Sequence, residues 1–204
     1  MRLFDMLDSG NCYKVRMMLA RRGVAFERVE VDVDGGETRS PAFLAKNPFG
    51  KVPALEVEPG VFLAESNAIL CFLAEGTEWL PAGGLDRARA MQWLFWEQYS
   101  HEPHVAVARH WLRHLEITPE RARELEARQA RGRAALEVME RHLSRSPWLC
   151  ASGFGVADMA LYAYTHVAEE GGFDLGPLPA LRDWLARVAA RPGHVPMGWT
   201  GGAG

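Results

Sequence analysis

Two periodicities alternate along the first 75 positions. Residues 26–33 read F-E-R-V-E-V-D-V, so Val29, Val31 and Val33 share one side and Glu30 and Asp32 the other, the pattern of a half-buried strand. Residues 2–6 form a shorter strand candidate. Between them, residues 12–22 carry Val15, Met18 and Leu19 on a helical stripe, and Gly23 follows as a glycine does past a helix C-terminus. Strand, helix and strand with short connections predict a βαβ unit with parallel strands and a right-handed crossover. Residues 54–57 and 61–64 flank Glu58-Pro59-Gly60, a turn signal, and predict a hairpin. A helix over about 66–75 follows. Residues 76–84, dense in glycine and proline, read as a linker. Beyond them the pattern is helical only. Residues 87–115 form a long apolar-rich segment that Pro103 should kink or break. Thr118-Pro119 starts a helix that runs to about Leu143. Two more helices begin near Val156 and Pro179, and residues 198–204 should fray. The expected division is 1–78, α/β, and 85–204, all-α.

Charge narrows the function classes. The chain of 204 residues has 23 basic and 26 acidic residues, a net charge of −3, which gives no footprint for nucleic acid or an anionic membrane surface. The longest apolar runs, such as residues 68–74, are far short of the roughly 20 residues a membrane span needs. No leader pattern precedes the first strand. Cys12, Cys71 and Cys150 are too scattered for a disulfide framework, so a reducing cytoplasm is the expected compartment. Lysine occurs only at Lys14, Lys46 and Lys51 in a chain rich in arginine, which makes each lysine's placement informative.

Three short segments carry candidate chemistry. Ser9-Gly10-Asn11-Cys12 lies at the mouth of the first helix, where unpaired N–H groups and the positive dipole end stabilise a thiolate or another anion. Ser9 or Asn11 can equally serve as an ordinary helix cap. Lys51-Val52-Pro53 precedes the third strand. A cis Val52–Pro53 bond would turn the Val52 backbone outward to pair with an extended peptide, whereas a trans bond is the ordinary state. Glu65-Ser66 opens the helix after the hairpin. A serine hydroxyl and free N–H groups there suit a carboxylate, and Glu65 suits an ammonium, unless the pair is only a cap. His101/His104 and His110/His114 have helical spacings that can hold a metal, but the flanking carboxylates and cysteines of a dedicated site are missing, so no metal is expected.

In this order and spacing, the first half resembles the thioredoxin-like domain (βαβ-ββα) of the cytosolic glutathione S-transferases, and the second half resembles that family's all-helical C-terminal domain. Counted back from Gly23, Ser9 falls in the register of the glutaredoxin C-x-x-C motif, where serine-type classes such as zeta and phi carry the catalytic hydroxyl. Asn11 falls where nu-like bacterial enzymes have an asparagine. Phe154-Gly155-Val156-Ala157-Asp158 resembles the capping-box region of the helical domain, with Gly155 in place of the usual Ser or Thr. Phe154 and Met159 would staple that helix start.

The resemblance implies a cytoplasmic, homodimeric transferase with glutathione as co-substrate and no metal. Ser9, with Asn11, would act on the thiolate, Cys12 remaining a rival for that role. Val52, set by Pro53, would pair with the cysteinyl backbone. Glu65 and Ser66 would hold the γ-glutamyl end, and Lys51 would reach the glycyl carboxylate. Cys12, Tyr99, His104, Arg109 and Trp111 would line the pocket for a small electrophile. The same site also suits a glutathione-dependent peroxidase, disulfide reductase or isomerase, and the fold also serves non-catalytic binding modules. With Ser9 in the first position of the motif, dithiol exchange inside it is impossible.

Overall fold

The alternating segments become a four-stranded sheet in the computed structural model, which describes residues 1–201. In chain order the elements are β1 (Arg2–Asp5), α1 (Gly10–Arg21), β2 (Glu27–Glu30), a 3₁₀ turn (Glu37–Arg39), α2 (Pro41–Leu44), β3 (Ala54–Glu58), β4 (Val61–Ala64) and α3 (Ser66–Ala74). The spatial order is β2-β1-β3-β4, with β1 and β2 parallel and the other pairs antiparallel. This is the βαβ-ββα thioredoxin-like arrangement. β2 leaves the ladder at Glu30, earlier than its valines suggest. A turn takes over, in which Gly35 N–H donates to Asp32 Oδ1 (2.7 Å) and Gly36 adopts a φ of 83°. Val31 still packs with Phe4, Phe43 and Ala54, and Val29 and Val33 pack against that cluster, so the alternation gave the facing correctly. The sequence reading passed over α2, although Ser40-Pro41 is a start signal: Ser40 Oγ accepts from Phe43 N–H at 3.2 Å.

Register fixes which loops share an end of the sheet. Phe4 pairs with Ala54, and Ala54 pairs with Ala64. The chain leaving β1 toward Ser9, the chain entering β3 through Val52–Pro53 and the chain leaving β4 into Glu65–Ser66 therefore emerge together.

The contacts divide the chain into Met1–Glu75 with the segment from Pro192 onward, and Gly76–Arg191. The expected boundary is corrected at its far end. Tyr13 Oη donates to Val195 O (2.7 Å), Arg21 donates to Pro192 O (2.7 Å), and the Trp199 ring lies 5.8 Å from that of Phe26. The expectation of fraying from residue 198 is thus wrong for the described part, and residues 202–204 lie outside the described residues.

The second unit contains α4 (Gly84–Trp96), α5 (Glu102–His114), α6 (Pro119–Leu143), α7 (Val156–Thr165), a 3₁₀ turn (Ala168–Gly171) and α8 (Pro179–Ala189). Pro103 does interrupt the long segment, through a π-helical turn over Glu97–His101. Proline has no N–H to donate and its ring crowds the carbonyl four residues back; the wider turn, in which Glu102 N–H reaches Glu97 O, accommodates both. At the start of α7, Asp158 is fully buried. It accepts from Leu149 N–H (3.2 Å), Trp184 Nε1–H (2.9 Å) and Gly155 N–H (3.1 Å). Gly155 is extended, but a Cβ there would sit 2.5 Å from Trp79 O, which accepts from Val156 N–H at 2.9 Å. That crowding accounts for glycine at this cap. Phe154 and Met159 are both buried where the staple was expected.

Candidate functional site

Ser9 caps α1. Its backbone is extended (φ −82°, ψ 121°), and its Oγ accepts from Cys12 N–H at 3.3 Å. A hydroxyl has two acceptor lone pairs and one donor, so capping leaves the O–H free to donate to an anion. The cap reading and the thiolate reading are therefore compatible. The loop before it is tied down: Ser9 N–H donates to Met6 O (3.0 Å), and Leu7 N–H donates to Glu30 Oε1 (3.3 Å).

The second helix mouth meets the first through side chains. Ser66 Oγ donates to Asn11 Oδ1 at 3.1 Å, and Lys14 Nζ donates to Asn67 Oδ1 at 3.1 Å. Asn11 and Ser66 were both singled out from the sequence, and they touch. Lys14 and Asn67 were not assigned a role; the signal was the rarity of lysine, and Lys14 is fully buried. Glu65 is exposed, and no side chain caps α3. Glu65 has φ 66° and ψ 112°, a conformation that costs a non-glycine residue about 1–3 kcal/mol and that persists only where its surroundings impose it.

The third segment lies at the same sheet end. The Val52–Pro53 peptide bond is cis. Asn47 Nδ2–H donates to Lys51 O (2.7 Å), and Asn47 Oδ1 accepts from Phe49 N–H (3.0 Å), so one buried asparagine shapes the loop. The Lys51 residue is exposed. Three segments distant in sequence thus bring two helix N-termini, an exposed carboxylate, two serine hydroxyls and an exposed lysine to one end of one sheet.

Residues 1–75 match the model of the glutathione S-transferase N-terminal domain, and residues 94–192 match that of its C-terminal domain. A solved glutathione S-transferase from Pseudomonas fluorescens is 50% identical, covers 96% of this chain and 98% of its own, and superposes with a TM-score of 0.94. The chain belongs to the glutathione S-transferase family. Other relatives of this transferase carry different names. A maleylacetoacetate isomerase of Pseudomonas aeruginosa is 32% identical over 94% of this chain and 92% of its own. A disulfide-bond oxidoreductase of Escherichia coli is 29% identical over 89% and 87%.

Two of the residues expected around the electrophile share a groove. Tyr99 and His104 line a groove of about 520 Å³ on the helical unit of the transferase, with Trp96, Ser100, Arg131 and Val138. Burial, then the charges of Arg131 and Arg128, hold His104 below the ordinary histidine range. Arg109 and Trp111 do not line this groove. Arg109 is buried and pairs with Glu170 (2.7 Å), which Arg113 also contacts (2.9 Å). Trp111 lies under the guanidinium groups of Arg128 (4.8 Å) and Arg121 (5.9 Å).

Cys12, expected beside the electrophile and as a rival for the thiolate role, lies in the core. It is fully buried, and its Sγ accepts from Met6 N–H at 3.5 Å. Burial, and next the Asp5 carboxylate, push its thiol up, which disfavours the thiolate a nucleophile needs. His101 lies in the core against Thr165 Oγ1 (3.0 Å), apart from His104 in the groove. Among the described residues no three His, Cys, Asp or Glu side chains are grouped to hold a metal ion, and no helix is long and apolar enough to cross a membrane.

Proposed function

We propose that the sheet end bearing Ser9, Val52 and Glu65–Ser66 binds glutathione and presents its thiolate to a small electrophile. The observation that carries this is the Ser66–Asn11 hydrogen bond, which joins a candidate γ-glutamyl site to a candidate sulfur site. The γ-glutamyl carboxylate meets the main-chain N–H groups at the mouth of α3 and takes the Ser66 O–H over from Asn11 Oδ1, and its ammonium meets Glu65. The cysteinyl backbone pairs with Val52, and the glycyl carboxylate lies toward Lys51. Ser9 then donates its O–H to the sulfur, with the α1 dipole and Asn11 behind it. These residues orient the nucleophile and favour its charged form, and the electrophile takes the sulfur's electron pair.

Two variants test the γ-glutamyl assignment. Ser66→Ala should weaken glutathione binding by roughly 1–3 kcal/mol, as for a lost hydrogen bond to a charged group. Unchanged affinity by calorimetry would falsify it. Glu65→Gly should separate binding from folding. It removes the ammonium partner, so affinity falls by about 1.5–3 kcal/mol. It also relieves the left-handed strain, so stability holds or rises by up to about 1 kcal/mol. A drop in both would contradict the assignment of strain to the site.

The transferase works in the cytoplasm as a homodimer in this reading. Membership of the family supports the pairing of two copies. The oxidoreductase and isomerase relatives favour a second reading in which the same thiolate reduces a disulfide or isomerises a double bond. A substrate panel at fixed glutathione separates these from conjugation.

A further inference from the structure

Arg16 is fully buried and donates in three directions. Its Nη1 meets Asp5 Oδ1 at 2.5 Å, and its Nη2 meets both Leu7 O and Met197 O at 2.8 Å. A terminal guanidinium nitrogen has two hydrogens, so Nη2 serves one carbonyl in the loop before Ser9 and one in the segment that returns from Pro192. Asp5 is itself fixed, because Arg28 Nε holds its other oxygen. Three further contacts pin the returning segment: Tyr13 Oη to Val195 O, Arg21 to Pro192 O, and Trp199 against Phe26.

We propose that residues 192–201 are a clasp on the loop that carries Ser9, with Arg16 as the positioning residue between them. Each acceptor on Nη2 fixes the orientation of the fork, so loosening the Met197 carbonyl removes a restraint on the hydrogen bond to Leu7 O. Leu7 lies two residues before Ser9, and the Ser9 amide closes a turn onto Met6 O at 3.0 Å. The clasp therefore bears on where the Ser9 hydroxyl points. Its catalytic consequence rests on the reading of Ser9 as the partner of the glutathione thiolate.

The test uses two full-length variants. Arg16→Lys keeps the charge beside Asp5 but loses the fork that reaches both carbonyls. Tyr13→Phe/Trp199→Ala loosens the returning segment and leaves Arg16, Asp5 and Arg28 in place. In both, hydrogen exchange at the Ser9 amide should speed up about tenfold as its local opening becomes easier. The thiol of bound glutathione should titrate about 0.5–1 unit higher, with kcat down roughly three- to tenfold and KM within about twofold. Should Arg16→Lys not fold, the double variant carries the test alone. A double variant that speeds exchange at Trp199 while leaving Ser9 exchange and the thiol titration unchanged would overturn the clasp, reducing the segment to a structural wrapper. Failure of the unmodified protein to bind glutathione would overturn the functional reading instead, and Ser9 exchange would still decide the clasp.

Discussion

Asp158→Ala should cost about 3–5 kcal/mol of stability, because it strands two buried N–H groups and one half-buried one at about 1–3 kcal/mol each, less than additively. Those donors come from Leu149, Gly155 and Trp184, so one carboxylate ties the start of α7 to the chain before it and to α8. Urea unfolding followed by tryptophan fluorescence measures the loss. Asp158→Asn keeps one acceptor oxygen and should lose less. Burial raises the Asp158 carboxyl to about 6, against its hydrogen bonds from Trp184, Leu149 and Gly155, which lower it. The folded protein then holds a proton there that the unfolded chain releases between the ordinary aspartate value and about 6. Stability attributable to this group rises as pH falls through that window and is lost as pH rises through about 6. The gap between the unmodified protein and Asp158→Asn should therefore widen on acidification from pH 7 to about 4. A gap that narrows would show that the ionised carboxylate is the better-held form.

Ser9→Ala should lower the turnover rate about tenfold to a thousandfold, the range for one lost donor to a developing or resident anion. The α1 dipole and Asn11 remain, so the loss is partial. The thiol of bound glutathione should titrate higher, each unit being 1.36 kcal/mol of lost preference for the anion. The fold should lose about 0.5–2 kcal/mol, because Ser9 also caps α1. Cys12→Ala is the control. Its sulfur is buried and its thiol disfavours ionisation, so activity should persist. Thiolate absorbance and turnover in both variants decide between them. An unaltered thiol in Ser9→Ala would move the role to Asn11, and loss of activity in Cys12→Ala would restore the cysteine.

The fold was legible where local signals agree with packing. The valines of residues 26–33 marked a core-facing segment, Thr118-Pro119 marked the start of α6, and Pro103 marked a break. The form of that break was not legible, because a π turn depends on how neighbouring helices hold the two sides. In the site, Ser9 and Glu65–Ser66 were visible as helix mouths, and their union was not. The Ser66–Asn11 and Lys14–Asn67 bonds join residues more than 50 positions apart, and no local pattern encodes them. Arg109 and Trp111 lie off the groove that Tyr99 and His104 line, since a resemblance fixes a helix and not the rotation of each residue on it. The return of residues 192–201 was hidden because its anchors are backbone carbonyls, which any residue supplies.

The crystal structure of the transferase with glutathione bound tests the central claim most directly. The sulfur should lie within hydrogen-bonding reach of Ser9 Oγ, the cysteinyl backbone should pair with Val52, and the γ-glutamyl carboxylate should sit at the mouth of α3 beside Ser66. Glutathione bound with its sulfur away from Ser9, or bound outside this end of the sheet, would contradict the account.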